Sequence, residues 1–176
     1  MQETRYYPAI LLTGPRQVGK STLLLHLKEE ERTYVSLDDP ALRNLARFSP
    51  ELFFERYQAP LLIDEIQYAP ELLPYIKMII DARNENNIFW LTGSQIYPLM
   101  RGVQESLAGR VRILQLDGFS RKESLEQEHR LFPRDLPDMM QEAVPSFPIA
   151  ETILQGSMPR VLFQEKIDIA GYYQSY

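Results

Sequence analysis

Gly14 and Gly19, with Lys20 and Ser21 directly after the second, restrict this chain more than any other part of its sequence. The run Gly14-Pro-Arg-Gln-Val-Gly-Lys-Ser-Thr22 satisfies the pattern G-x-x-x-x-G-K-[ST] at every required position. Glycines at both ends let the backbone turn tightly, so that successive N–H groups converge on an anion. Lys20 adds a charge that can reach the outer phosphates of a nucleotide, and the Ser21 hydroxyl is a hard oxygen ligand for the Mg2+ that accompanies them. The flanks agree. Ala9-Ile-Leu-Leu-Thr13 is a short apolar run of buried-strand type, and Leu23-Leu-Leu-His-Leu27 continues as an apolar helix whose positive dipole end faces the loop. Gly14, Pro15, Arg16, Gln17, Val18, Gly19, Lys20, Ser21 and Thr22 are therefore the candidate nucleotide contacts.

Downstream, apolar runs alternate with helical patterns. Tyr34–Leu37 reads as a second strand, and Asp38-Asp-Pro40 closes it with Asp39 as helix cap and Pro40 at the first helical position. A helix is expected over Ala41–Phe48, and Ser49-Pro50 repeats the cap-then-proline signal before a second over Glu51–Tyr57. Pro60-Leu-Leu-Ile-Asp-Glu65 is an apolar run ending in two carboxylates, the form of a central parallel strand that delivers acids to the carboxyl edge of a sheet. Leu72, Leu73, Ile76, Ile79 and Ile80 recur at helical spacing and predict a helix ending near Arg83. Ile88–Thr92 and Val111–Leu116 supply a fourth and a fifth strand. This alternation is the signature of an α/β fold with a mainly parallel five-stranded sheet and helices on both faces.

The carboxylates after the third strand carry the next layer of chemistry. Asp64 stands where a phosphate-loop protein keeps the aspartate that organises its metal, so Ser21 and Asp64 are the expected Mg2+ side chains. Glu65 is suited to polarise an attacking water, which favours hydrolysis over transfer to a bound acceptor. Ser94 and Gln95, at the tip of the fourth strand, are placed to hydrogen-bond the γ-phosphate or its water, although a Thr-Gly-Ser turn is common in any protein. Arg110, before the fifth strand, is the candidate transition-state arginine, with Arg16 and Arg101 as competitors. His26 and His129 have no partner at metal-ligand spacing, and no serine lies in G-x-S-x-G.

Composition narrows the classes further. The chain has 176 residues, 44% of them hydrophobic, enough for one cored domain or one plus part of another. Nineteen Lys and Arg against 24 Asp and Glu give no overall charge that suggests a nucleic-acid-coating surface, which leaves a local basic patch open. The absence of cysteine excludes disulfides, thiolate metal sites and a cysteine nucleophile. Met1–Pro8 has no apolar signal core and no run approaches the ~20 residues that span a bilayer, so a soluble cytoplasmic protein without membrane contact is expected. Prolines at 133, 137, 145 and 148 change the texture after a capping box at Ser120 and Glu123. The expected division is a core over residues 1–127, then a linker and helical extension over 128–176 that includes a short apolar helix at 149–154.

Five blocks in order, Gly14–Thr22, Leu37–Pro40, Leu62-Ile-Asp-Glu-Ile-Gln67 with Ala69-Pro70, Leu91-Thr-Gly-Ser-Gln95 and Glu105–Val111, resemble the prokaryotic AAA+-type P-loop ATPases, ATP-binding proteins with an uncharacterised C-terminal domain. The resemblance covers most of Ala9 to Ser120. It implies a P-loop NTPase three-layer sandwich with strand order 5-1-4-3-2, Walker A at Gly14 to Ser21, Walker B at Asp64 and Glu65, and a sensor at Ser94. It also implies a finger at Arg110 that acts on a neighbouring subunit, hence a homo-oligomer. Members of the family are typically longer, so the chain to Tyr176 is expected to be an N-terminal portion, with any protein or DNA partner met by the absent C-terminal domain. A second sensor arginine has no assignable position, Arg160 being a guess. ATP and Mg2+ are the expected ligands, with Lys20, Glu65, Ser94 and Arg110 as catalytic residues of an ATPase whose turnover drives a conformational change. The alternatives are an ATP-dependent switch with negligible hydrolysis and, less favoured, a small-molecule P-loop kinase.

Overall fold

A computed structural model of the chain describes residues 3–94, 97–124, 153, 156–164 and 167–175. Runs too apolar to tolerate a wet face become the central strands. β1 (Ala9–Gly14), β3 (Leu61–Asp64) and β4 (Phe89–Ser94) are buried almost throughout. The more polar β2 (Thr33–Ser36) and β5 (Val111–Gln115) take the edges of the sheet. Every pairing is parallel and the order is β2-β3-β4-β1-β5, the expected order read from the opposite edge.

Strand alternation divides the core into two layers. Leu11, Ile63, Phe89 and Leu91 point to one face, under α2 (Pro40–Phe48), α3 (Pro50–Arg56), α4 (Leu72–Arg83) and α5 (Tyr97–Leu107). Ile10, Leu12, Leu62 and Trp90 point to the other, where Leu23 and Leu24 of α1 (Lys20–Leu27) pack on them. This is the three-layer α/β sandwich. At the amino edge, buried Arg32 lies 4.2 Å over the Trp90 ring and donates to the Asn87 carbonyl at 2.7 Å, so the guanidinium covers that ring.

Local signals behave unequally. Asp39 caps α2 through a 2.8 Å bond from the Ala41 N–H, with Pro40 at the first helical position. Ser49 makes no such side-chain bond to α3. It closes α2 instead, its N–H donating to the Leu45 carbonyl at 2.9 Å, so one residue ends one helix and begins the next. β4 runs two residues beyond Thr92, because Gly93 and Ser94 stay paired with Thr13 and Gly14. β3 stops at Asp64, since Glu65 takes left-handed angles, φ 59° and ψ 47°.

By internal packing the chain divides into Met1–Asp117, which holds the sheet, and Gly118–Tyr176. In the second unit, Ser120 and Glu123 form the reciprocal capping box of α6 (Arg121–Ser124), at 2.7 and 3.3 Å. There too are α7 (Pro159–Phe163) and α8 (Ile169–Gln174), with Phe119 edge-on to Phe163. The helix expected at 149–154 falls, but for Ile153, outside the described residues, as do His129 and Gln95. Among the described residues no helix is long and apolar enough to cross a membrane.

Candidate nucleotide site

Parallel strands bring their carboxyl ends to one edge, and ligands of open α/β sheets bind in the crevice where strand order reverses. Here the reversal is at β1. The chain leaves it for β2 at the far edge, returns through β3 and β4, and crosses to β5 on its other side. The register sets Gly14 opposite Ser94, Leu12 opposite Thr92 and Ser36 opposite Asp64. The loop after β1, the acids after β3 and the tip of β4 therefore share one edge.

The loop has the backbone its composition calls for. Gly14, Gln17 and Gly19 have φ of 147°, 61° and 95°. At Gly14 a Cβ would lie 2.0 Å from the Leu116 carbonyl oxygen, so glycine is required by space as well as by angle. Lys20 begins α1 and is almost wholly buried, its ammonium donating to the carbonyls of Gly14 at 3.1 Å and Pro15 at 2.7 Å. Burial pushes its pKa below the ordinary lysine value. The nearby Glu65 and Asp64 charges oppose that shift and Arg16 adds to it. An ammonium has three donors, so one is left for a ligand.

Asp64 is buried at the end of β3, and its partners among the described residues are hydroxyls. Ser21 donates to its Oδ1 at 2.6 Å, Thr92 donates to the same oxygen, and the Tyr34 phenol donates to Oδ2 at 3.0 Å. Burial and the Asp64 charge push the Tyr34 phenol up to about 12, so it stays a donor. Thr92 also accepts the Glu65 N–H at 3.0 Å, which ties β4 to the turn after β3. Gln67, in the 3-10 turn Ile66–Tyr68, donates to the Glu65 carboxylate and accepts the Ser94 N–H at 3.3 Å. The Ser94 hydroxyl oxygen is buried and has no hydrogen-bond partner among the described residues.

The oxygens fit magnesium. Mg2+ prefers hard oxygen ligands, takes one or two from protein and the rest from phosphate and water, and Ser21 Oγ lies 2.6 Å from Asp64 Oδ1. The loop fits a polyphosphate, with a desolvated cation at the start of a helix and left-handed residues that turn its backbone.

Lys20, Ser21, Asp64, Glu65 and Ser94 thus gather at one edge, and Arg110 does not. It precedes β5, and its carbonyl accepts the N–H of Ala9, the first residue of β1, so it lies at the amino edge. Six-residue β1 separates the two edges by roughly 16 Å at about 3.3 Å per residue. Its guanidinium is held by Asp81 of α4, at 2.6 and 3.0 Å. Of the competitors, Arg101 pairs with Glu105 along α5 at 2.8 Å, and Arg16 lies exposed in the loop itself. Tyr34, Thr92 and Gln67 are the residues that the sequence did not single out. Gln67 and Thr92 carried a hint, standing in the same blocks as the two acids and Ser94.

A family model described as AAA domain matches residues 6–125. Two curated proteins described as uncharacterized, one from Mycobacterium tuberculosis and one from Mycobacterium bovis, are each 35% identical over 115 residues. That match takes in 64% of this chain and 26% of each relative, so the aligned part is about a quarter of their length.

Proposed function

Because the chain belongs to the AAA domain family and is a nucleotide-binding, ATPase-like module, we propose that its site hydrolyses Mg-ATP to ADP and phosphate and uses the turnover to change conformation. The observation that carries this reading is the convergence of Lys20, Ser21, Asp64 and Glu65 at the carboxyl ends of β1 and β3. Backbone N–H groups between Arg16 and Thr22 cradle the phosphates, and the remaining donor of Lys20 binds an outer phosphate oxygen. Ser21 and Asp64 hold Mg2+, which when bound offsets phosphate charge. Thr92 and Tyr34 fix the Asp64 carboxylate by donating to it. Glu65 orients water and takes its proton, and Ser94 Oγ, buried and without a partner among the described residues, hydrogen-bonds the γ-phosphate or that water. Arg110, at the amino edge, serves the site of a neighbouring copy in a homo-oligomer. We assign this activity to a core over residues 1–127 of a cytoplasmic protein.

Phosphate release from Mg-ATP tests the reading. Glu65→Gln should keep ATP binding and lower turnover by roughly 10²-fold or more, while Lys20→Ala should lose binding. Hydrolysis unchanged in Glu65→Gln would sink the assignment. A second reading, an ATP-dependent switch with negligible hydrolysis, is favoured by one observation: no copy supplies Arg110 to its own site. ATP binding by the wild type without phosphate release would establish it.

A further inference from the structure

The turn after β3 is anchored on both sides of Gln67. Ile66 and Ala69 are fully buried, and the Tyr68 and Ala69 N–H groups bond back to the carbonyls of Glu65 and Ile66, both at 3.0 Å. From this fixed base the Gln67 side chain reaches in two directions. Its Nε2 donates to Glu65 Oε2, and its Oε1 accepts the Ser94 N–H at 3.3 Å. The amide has one workable orientation, because a carboxylate only accepts and a backbone N–H only donates, so a flip would set like against like at both ends. Room for it is reserved by Gly93, where a Cβ would lie 2.9 Å from Gln67 Oε1 and 2.7 Å from Leu99 Cδ2. A single planar group therefore joins the acid after β3 to the tip of β4, beside a buried hydroxyl that has no partner among the described residues.

We propose that Gln67 is a positioning residue of this site: its amide sets the Glu65 carboxylate and ties it to Ser94, so that a ligand drawing on Ser94 also moves Glu65. The turnover part of this inference rests on the hydrolytic reading above, and the link to Ser94 does not. Two variants of the 176-residue chain separate the ends of the amide. Gln67→Glu still accepts from the Ser94 N–H and can no longer donate to Glu65, whereas Gln67→Met keeps the length and does neither. Hydrogen exchange at the Ser94 amide, normalised to global unfolding, should quicken on the order of ten-fold in Gln67→Met and stay near wild type in Gln67→Glu. In both variants kcat should fall on the order of ten-fold while the KM for ATP stays within about two-fold, since the lost contact acts on the reacting water and not on nucleotide binding.

Wild-type kcat in either variant would overturn the proposal, as would unchanged Ser94 exchange in Gln67→Met. A kcat loss that merely tracks a fall in Tm would overturn it too. If Lys20→Ala lacks ATP binding and the wild type binds ATP yet releases no phosphate, the hydrolytic reading fails instead. The bridge then stands or falls on Ser94 exchange alone.

Discussion

The Tyr34 phenol and the Lys20 ammonium flank the same pair of acids and respond to burial with opposite pH signatures. For Tyr34, burial and the Asp64 charge raise the folded pKa to about 12, above the ordinary phenol value of about 10. A raised value contributes stability that is whole below pH 10 and is lost as pH climbs toward 12. Tyr34→Phe should cost about 1 kcal/mol at pH 7 through the lost bond to Asp64, and should flatten the alkaline decline, as urea unfolding on both sides of pH 10 would read. Lys20 runs the other way. Its folded pKa is lowered, chiefly by burial, so the unfolded chain holds the extra proton and stability rises with pH through the window below 10.5. Lys20→Met should remove that rise, leaving a variant that loses ground to the wild type as pH is raised toward 10.5. A gap that narrows instead would show that the buried ammonium is not desolvated as the structure has it.

Each strand of the site ends differently, and the ends explain what sequence can and cannot reveal. β1 ends at Gly14, where an added Cβ would lie 2.0 Å from the Leu116 carbonyl oxygen. Gly14→Ala should therefore lower stability by about 2 kcal/mol or more in urea unfolding, whereas Gly19→Ala, whose Cβ meets nothing within 4 Å, should cost about 1 kcal/mol from its angle alone. Equal losses at the two positions would mean that crowding against β5 is not what requires Gly14. That break was legible, because glycine spacing and an apolar run are local facts. So was the end of β3 at Asp64, whereas β4 runs two residues past the expected Thr92 because Gly93 and Ser94 stay paired with β1. The roles of Tyr34, Thr92 and Gln67 were not legible. Tyr34 reaches Asp64 only because β2 pairs with β3 in the register Ser36 to Asp64, and Thr92 only because β4 lies on the other side of β3. Gln67 depends on Glu65 leaving the strand with φ 59°, an angle that no composition signal announces. Pairing between segments some 30 residues apart sets these contacts, and a single sequence carries little trace of register.

At the scale of the whole molecule, the distribution of charge across the sheet decides how a complete site can be assembled. The carboxyl edge holds Lys20, Asp64 and Glu65, while Arg110 stands at the amino edge, paired with Asp81 in the wall of a groove of about 460 Å3 that also takes in Pro8, Asn84 and Glu85. An arginine so placed can reach a phosphate only across a boundary between copies, and it must leave Asp81 to do so. An exposed pair of this kind is a weak restraint, so exchange of partners is feasible. Activity should then depend on neighbours. Specific phosphate release by the wild type should climb with protein concentration, and Arg110→Ala should lower it by roughly 10-fold or more without loosening ATP. Mixing gives the sharper result. Glu65→Gln retains Arg110 and lacks a working acid, and Arg110→Ala retains the acid and lacks the arginine. In a mixture, a copy of the second type beside one of the first completes a site, so two preparations that are each nearly inactive should together recover a substantial fraction of turnover. Complementation places the finger between subunits. If the mixture is only as active as the average of its parts, while Arg110→Ala alone turns over like the wild type, the Arg110–Asp81 pair is a structural brace between α4 and the start of β5, and each copy works by itself.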